Sequence, residues 1–190
     1  MVAHAHKICK QFGVSGKGSI GECLQRIAKA KQLEKRNLDT VAIQFKVNDP
    51  HYSNGPSPYV GLTKKRQKHS LKYLHAPNAT VIDDHMLTLV IDYPLRHPTA
   101  VSLGPRIAGF TREDLVRLIG SAYRKIYREE KASCTLPVET MARRNPDCSL
   151  LNRAESNGKY GIYGHDLEDL RLHAIVYDRN EHKLMLKIDS

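Results

Sequence analysis

Apolar positions predict one strong amphipathic helix, from residue 112 to about residue 130. Thr111 stands at the N-cap position, and Asp114 three residues later completes a capping-box pattern. Phe110 can pack onto Leu115 across that cap. The apolar stripe repeats at helical spacing and consists of Leu115, Leu118, Ile119, Ala122, Tyr123 and Ile126.

A second, weaker helix is predicted from residue 20 to residue 36. Ser19 and Glu22 form another capping-box pattern ahead of the apolar positions Ile20, Cys23, Leu24, Ile27 and Ala28. A helix this short is marginal alone in water, so it needs a partner surface. Its other face is basic and carries Arg26, Lys29, Lys35 and Arg36.

Alternating or continuous apolar runs predict five strands, at residues 41–47, 85–92, 99–103, 170–177 and 183–189. The second and third can form one hairpin, and the last two a terminal hairpin with Leu170, Leu172, Ala174 and Val176 on one face. Residues 48–62 hold three prolines and an Asn-Gly pair, which indicates a loop, and residues 132–158 read as a long connection. The predicted fold is α+β, with one main helix packed on a small, mostly antiparallel sheet.

Charge divides the chain into two parts. Net charge is +10, and residues 1–75 hold 14 Lys or Arg against 4 Asp or Glu, whereas residues 76–190 hold 16 of each. We therefore expect a basic N-terminal arm over 1–75, comprising helix 20–36, strand 41–47, loop 48–62 and a basic run 63–72. A compact α+β domain over 76–190 follows it.

The basic run predicts a polyanionic partner. Lys64, Lys65, Arg66, Lys68 and Lys72 can neutralise phosphates, and the nearby Tyr59, Tyr73 and His75 can stack on unpaired bases. Together with Arg26, Lys29, Lys35 and Arg36 they form the predicted nucleic-acid-binding set. A solvated charge run is the alternative.

Motifs for nucleotide, metal and cofactor chemistry are weak. Residues 13–19 resemble a phosphate-binding loop, but Gln11 occupies the position of its first glycine and Gly18 follows the lysine. The four cysteines include no Cys-x-x-Cys pair, so we expect free thiols. No cofactor and no metal site is predicted.

Residues 158–170 hold the candidate residues for catalysis, and the turn from Asp92 to His97 is the other place where a site is expected. Three glycines alternate with tyrosines ahead of His165, Asp166 and Asp169. A carboxylate can orient an imidazole and raise its pKa, which makes His165 a candidate base. No partner nucleophile can be argued, and a tight turn before the last hairpin is the favoured interpretation.

Residues 110–115, 123–130 and 158–170 resemble an uncharacterised group of sequences from large DNA viruses of protists and from some algae and plants. The resemblance covers residues 85–190, leaves out the basic arm, and implies a virion or virus-factory setting. No activity or functional residue can be carried over from that group.

The favoured function is a non-enzymatic structural or assembly protein that binds nucleic acid or a nucleoprotein surface. Two alternatives stay open, namely a small enzyme with its site around His165 and Asp166, and a protein-interaction component of a virion, capsid or ribosome. No apolar run reaches membrane-spanning length and no secretory signal is recognised at the start of the chain. We expect an intracellular protein, located in the cytoplasm, the nucleus or a virion.

Overall fold

In a computed structural model of the protein, the described residues are 21–22, 24–29, 39–136 and 155–190. The chain divides into two compact units, Met1–Val41 and Ala42–Ser190. In the first unit, residues 21–22 and 24–29 are helical, with Ile27 buried and Leu24 and Ala28 exposed. Ser19, the Gly-Lys segment 13–19, Lys35, Arg36 and residues 137–154 lie outside the described residues.

Two helices are described in the second unit, α1 (Lys64–Lys72) and α2 (Arg112–Ser133). The strands are β1 (Thr40–Gln44), β2 (Val60–Gly61), β3 (Thr80–Ile82), β4 (Leu87–Ile91), β5 (Thr99–Leu103), β6 (Phe110–Thr111), β7 (Arg171–Asp178) and β8 (Lys183–Asp189).

The sheet is mostly antiparallel, which confirms the predicted α+β class. Its order is β1-β7-β8-β4-β5, with β2 paired to β7. The β4–β5 and β7–β8 hairpins have the predicted antiparallel partners, whereas β4 and β8 run parallel to each other. No helix in the described ranges is both long and apolar enough to cross a membrane.

Helix α2 begins as predicted. The Thr111 hydroxyl accepts from the Asp114 backbone N–H at 3.1 Å, and the Asp114 carboxylate accepts from the Thr111 N–H at 3.2 Å. The buried stripe differs from the prediction, because Leu118 is only half-buried whereas Val116, Gly120 and Glu130 are buried.

The predicted core face of strand β7 is wrong beyond a β-bulge. The register between β7 and β8 shifts between Leu172 and Ala174. After that shift Ile175 and Tyr177 become buried, while Val176, predicted on the core side, is half-buried. The extra residue inverts the alternation, since strand side chains point to opposite faces in turn.

The domain boundary lies near residue 41 and not near residue 75. The predicted loop 48–62 contributes Val60 and Leu62, both fully buried, and the backbone of Val47 pairs with that of Ser57. His75 donates its N–H to the Lys46 carbonyl at 2.8 Å. Residues 42–75 therefore belong to the compact unit, so the basic run is part of its folded surface.

Candidate nucleic-acid interface

Helix α1 is held to the body of the unit by polar contacts. Its two buried residues are Gln67 and Ser70. The Gln67 side-chain amide donates to the Val116 carbonyl of α2 at 2.6 Å, and its oxygen accepts from Arg124 at 3.1 Å. The Gly61 N–H donates to the Ser70 hydroxyl at 3.4 Å. These contacts hold one face of α1 against the rest of the unit, so the charged face of α1 is exposed to solvent.

The outward face of α1 carries the predicted basic cluster. All five predicted cations of the run, and His69, are exposed. Thr63 caps the helix by accepting from the Arg66 N–H at 3.3 Å, yet the first turn contains no acidic residue. Cations at the positive end of a helix oppose its dipole, and they also repel each other. The local sequence is therefore unfavourable for α1 in the absence of an anion.

A cleft of about 740 Å³ lies beside this face. We call it the basic cleft, and its lining is Tyr52, Tyr59, Gly61, Lys65, Arg66, Lys68, His69, Ser70, Lys72 and Arg171. Lys65, Arg66, Lys68 and Lys72 were predicted as nucleic-acid contacts, whereas Lys64 is exposed on α1 but does not line the cleft.

Arg171 comes from a distant part of the sequence and joins this cluster. It and Arg66 both donate to the Glu168 backbone carbonyl, which brings two guanidinium groups to one oxygen. Across the described ranges, none of Lys65, Arg66, Lys68, Lys72 and Arg171 forms an ion pair with a carboxylate. The basic cleft thus holds five cations that no carboxylate of residues 39–136 or 155–190 neutralises by direct pairing.

Two exposed tyrosines complete the basic cleft. Tyr52 is 56% exposed and Tyr59 is 41% exposed, so both offer ring faces to a ligand. The Tyr59 ring also contacts His173, with 5.5 Å between ring centroids. Lys72 lies over the Tyr73 ring at 4.9 Å, and a hydrogen bond with Tyr73 raises the pKa of Lys72. Lys72 therefore remains charged at any physiological pH.

His69 has the most ordered environment of the ionisable groups in the basic cleft. Its Nε2 hydrogen-bonds to Asp49, whose side chain is only 4% exposed. Asp49 also accepts the His51 N–H at 3.0 Å. The hydrogen bond from His69, followed by that from His51, keeps the pKa of Asp49 below its ordinary value. Asp49 is therefore ionised at neutral pH and fixes the imidazole orientation.

The other candidate residues lie outside the basic cleft. His165 Nε2 is 3.3 Å from the Ser190 hydroxyl, and its ring lies 5.8 Å from that of Tyr93. The Asp169 carboxylate accepts the Asp166 backbone N–H at 2.8 Å, which closes a turn. These three residues line neither the basic cleft nor a smaller hollow beside Tyr93. Arg26 and Lys29 are exposed on the helical segment of the first unit.

Four residues of the basic cleft or its support were not predicted from the sequence, namely Tyr52, His69, Asp49 and Arg171. Asp49 and His69 are separated by a loop rich in proline and glycine, and Arg171 is about a hundred residues from α1. No local pattern joins such positions. No protein family, curated protein or solved structure matches this chain.

Proposed function

We propose that this protein binds single-stranded nucleic acid in the basic cleft. The observation that carries the proposal is the combination of five cations without carboxylate partners and two exposed tyrosine rings in one cleft. Cations neutralise backbone phosphates with release of counterions, and aromatic faces stack on unpaired bases. A duplex offers its phosphates but keeps its base faces stacked, so the tyrosines favour a single strand.

The composition of α1 supports a functional reason for the charge. The cations in its first turn oppose the helix dipole, and the helix is held by Gln67 and Ser70 through hydrogen bonds with little apolar packing. Residues that destabilise their own helix or strand are expected at functional sites. In this proposal the bound strand supplies the negative charge that α1 lacks, within a larger nucleoprotein assembly.

The test is binding of the full chain to a fluorescein-labelled oligonucleotide, measured by anisotropy from 50 to 300 mM salt. The variant carries Lys65→Gln, Lys68→Gln and Lys72→Gln. Each phosphate contact on a single strand contributes a log–log salt slope of about −0.7, so losing three should reduce the slope by about 2. We expect affinity at 0.1 M salt to fall about ten-fold or more.

The matched control removes three exposed lysines outside the basic cleft, with Lys125→Gln, Lys131→Gln and Lys187→Gln. Both triple variants have the same net charge, so a general electrostatic effect would weaken them equally. A separate variant, Tyr59→Leu, should weaken binding by about 1–3 kcal/mol without changing the salt slope. Equal losses in the two lysine variants, or binding that is insensitive to salt, would contradict the proposal.

A further inference from the structure

Asp49 and His69 form an oriented acid–base pair, in which His69 lines the basic cleft and Asp49 lies buried behind it. The carboxylate is almost fully buried, whereas the His69 side chain is 51% exposed. Asp49 engages Nε2, and Nδ1 makes no hydrogen bond to any residue in the described ranges. A carboxylate in this position fixes the tautomer and ring orientation of an imidazole. Neutral His69 therefore carries its proton on Nε2 and leaves Nδ1 as an acceptor.

His69 shares the lining of the basic cleft with its cations. On a helix, residues three and four apart are neighbours, so Lys65, Arg66 and Lys72 lie within one turn of His69. Arg171 lies against the same end of the cleft as Arg66, since both donate to the Glu168 carbonyl. A phosphate held by these groups would lie beside an oriented base.

We infer that the basic cleft cleaves RNA by transesterification, with His69 as the general base and Asp49 as its positioning residue. This inference rests on the proposed function and adds a reaction to it. His69 Nδ1 takes the proton of a ribose 2′-hydroxyl, and the 2′-oxygen forms a bond to the adjacent phosphorus. The bond from phosphorus to the 5′-oxygen breaks, and that oxygen takes a proton from solvent. The products are a 2′,3′-cyclic phosphate and a 5′-hydroxyl end.

The cations of the basic cleft stabilise the transition state of this step. Negative charge accumulates on the phosphorus oxygens as the 2′-oxygen attacks, and cations placed beforehand stabilise it better than reorganising water does. DNA lacks the 2′-hydroxyl, so it binds through the same phosphate contacts and stays intact. The site therefore binds both RNA and DNA strands but cleaves only RNA.

The test incubates the full chain with a fluorescein-labelled RNA oligonucleotide in EDTA, which suppresses contaminating metal-dependent nucleases. We expect cleavage with a cyclic-phosphate end, detected by mass spectrometry, and none of the 2′-O-methyl strand of the same sequence. In the His69→Gln variant the glutamine amide can still donate an N–H to Asp49, but it cannot act as a general base. The cleavage rate of this variant should therefore fall at least about 100-fold. Its affinity for the 2′-O-methyl strand should stay within about three-fold of the wild type.

A matched control is His182→Ala. His182 is also exposed and also paired with a carboxylate, Asp84, with 2.8 Å between Nδ1 and Oδ2, but it lies outside the basic cleft. Its loss should leave cleavage unchanged. Asp49→Asn should slow cleavage and leave the affinity for the 2′-O-methyl strand unchanged, because it loosens the orientation of the His69 ring without removing a cation of the basic cleft. A parallel loss of affinity for that strand would show that Asp49 only maintains the fold of the basic cleft.

Each outcome decides between the two proposals. An intact RNA strand that nevertheless binds with steep salt dependence overturns the cleavage inference and leaves the proposed function standing. Equal cleavage by the wild type and by His69→Gln, purified identically, identifies a contaminant and also overturns it. Absence of binding to the 2′-O-methyl strand at low salt overturns both.

Discussion

Glu130 provides the sharpest test of how the second unit is stabilised. Its side chain is fully buried near the C-terminal end of α2. One carboxylate oxygen accepts from the Ser156 hydroxyl at 2.6 Å and from the Gly158 N–H at 2.9 Å. The other accepts from the Tyr160 N–H at 2.6 Å. Glu130 therefore anchors the segment that leads into residues 161–170.

The loss of stability expected on removing Glu130 can be worked out from these three hydrogen bonds. A hydrogen bond to a charged group contributes about 1.5–3 kcal/mol, so the simple sum is about 4.5–9 kcal/mol. Burying the carboxylate has its own desolvation penalty, which reduces that sum, and removing it leaves three donors without an acceptor at a cost of about 1–3 kcal/mol each. We expect Glu130→Ala to lower the free energy of unfolding by about 3–5 kcal/mol. Glu130→Gln keeps the shape and should cost about 1–3 kcal/mol.

The contribution of Glu130 to stability should decrease as the pH falls. Burial by itself raises the pKa of Glu130, but hydrogen bonds from Ser156, Tyr160 and Gly158 outweigh it and lower that pKa below 4.5. A carboxyl group whose folded-state pKa is depressed stabilises the fold above its unfolded pKa, and this contribution is lost as pH falls through the folded-state value. The difference between wild type and Glu130→Gln should therefore be full above pH 4.5 and shrink below it.

The assay is urea unfolding followed by far-UV circular dichroism, at pH 7 and at steps below pH 4.5. Glu181→Gln serves as the control, because Glu181 is exposed and pairs with Lys183 at the surface. Such a pair contributes about 0–1 kcal/mol. Free energies of unfolding of Glu130→Ala and Glu181→Gln that differ by less than about 1 kcal/mol at pH 7 would contradict this prediction, because the three hydrogen bonds would then contribute no more than a surface ion pair.

Two further predictions concern packing and ionisation. A Cβ at Gly120 would collide with the Gln67 side-chain amide. We therefore expect Gly120→Ala to cost about 1–3 kcal/mol by urea unfolding and to weaken nucleic-acid binding as α1 shifts, whereas Ser121→Ala, at an exposed position, should change neither. Burial, followed by the hydrogen bond to Asp84, raises the pKa of Tyr177 to about 12. In ultraviolet titration, Asp84→Asn should bring this ionisation closer to the ordinary tyrosine value, and an unchanged titration would assign the shift to burial alone.

The sequence by itself determined the elements whose apolar residues are periodic. Helix α2 and strands β4, β5 and β8 follow their patterns, because each buries one face against the core, whereas β7 follows its pattern only as far as the β-bulge. The capping box at Thr111 is equally local, since all its donors and acceptors lie within four residues. The asymmetry of charge was also visible without coordinates.

Tertiary structure alone decided the position of the basic run and the composition of the cleft. Helix α1 has no apolar stripe, because its inward residues Gln67 and Ser70 are held by hydrogen bonds to groups distant in sequence. A periodicity argument cannot find such a helix, so residues 63–72 were assigned to an arm. The Asp49–His69 pair and the approach of Arg171 to Arg66 depend on how loops and strands meet in space. Side-chain chemistry predicts an attraction to phosphate, but only packing decides which charges face the same ligand.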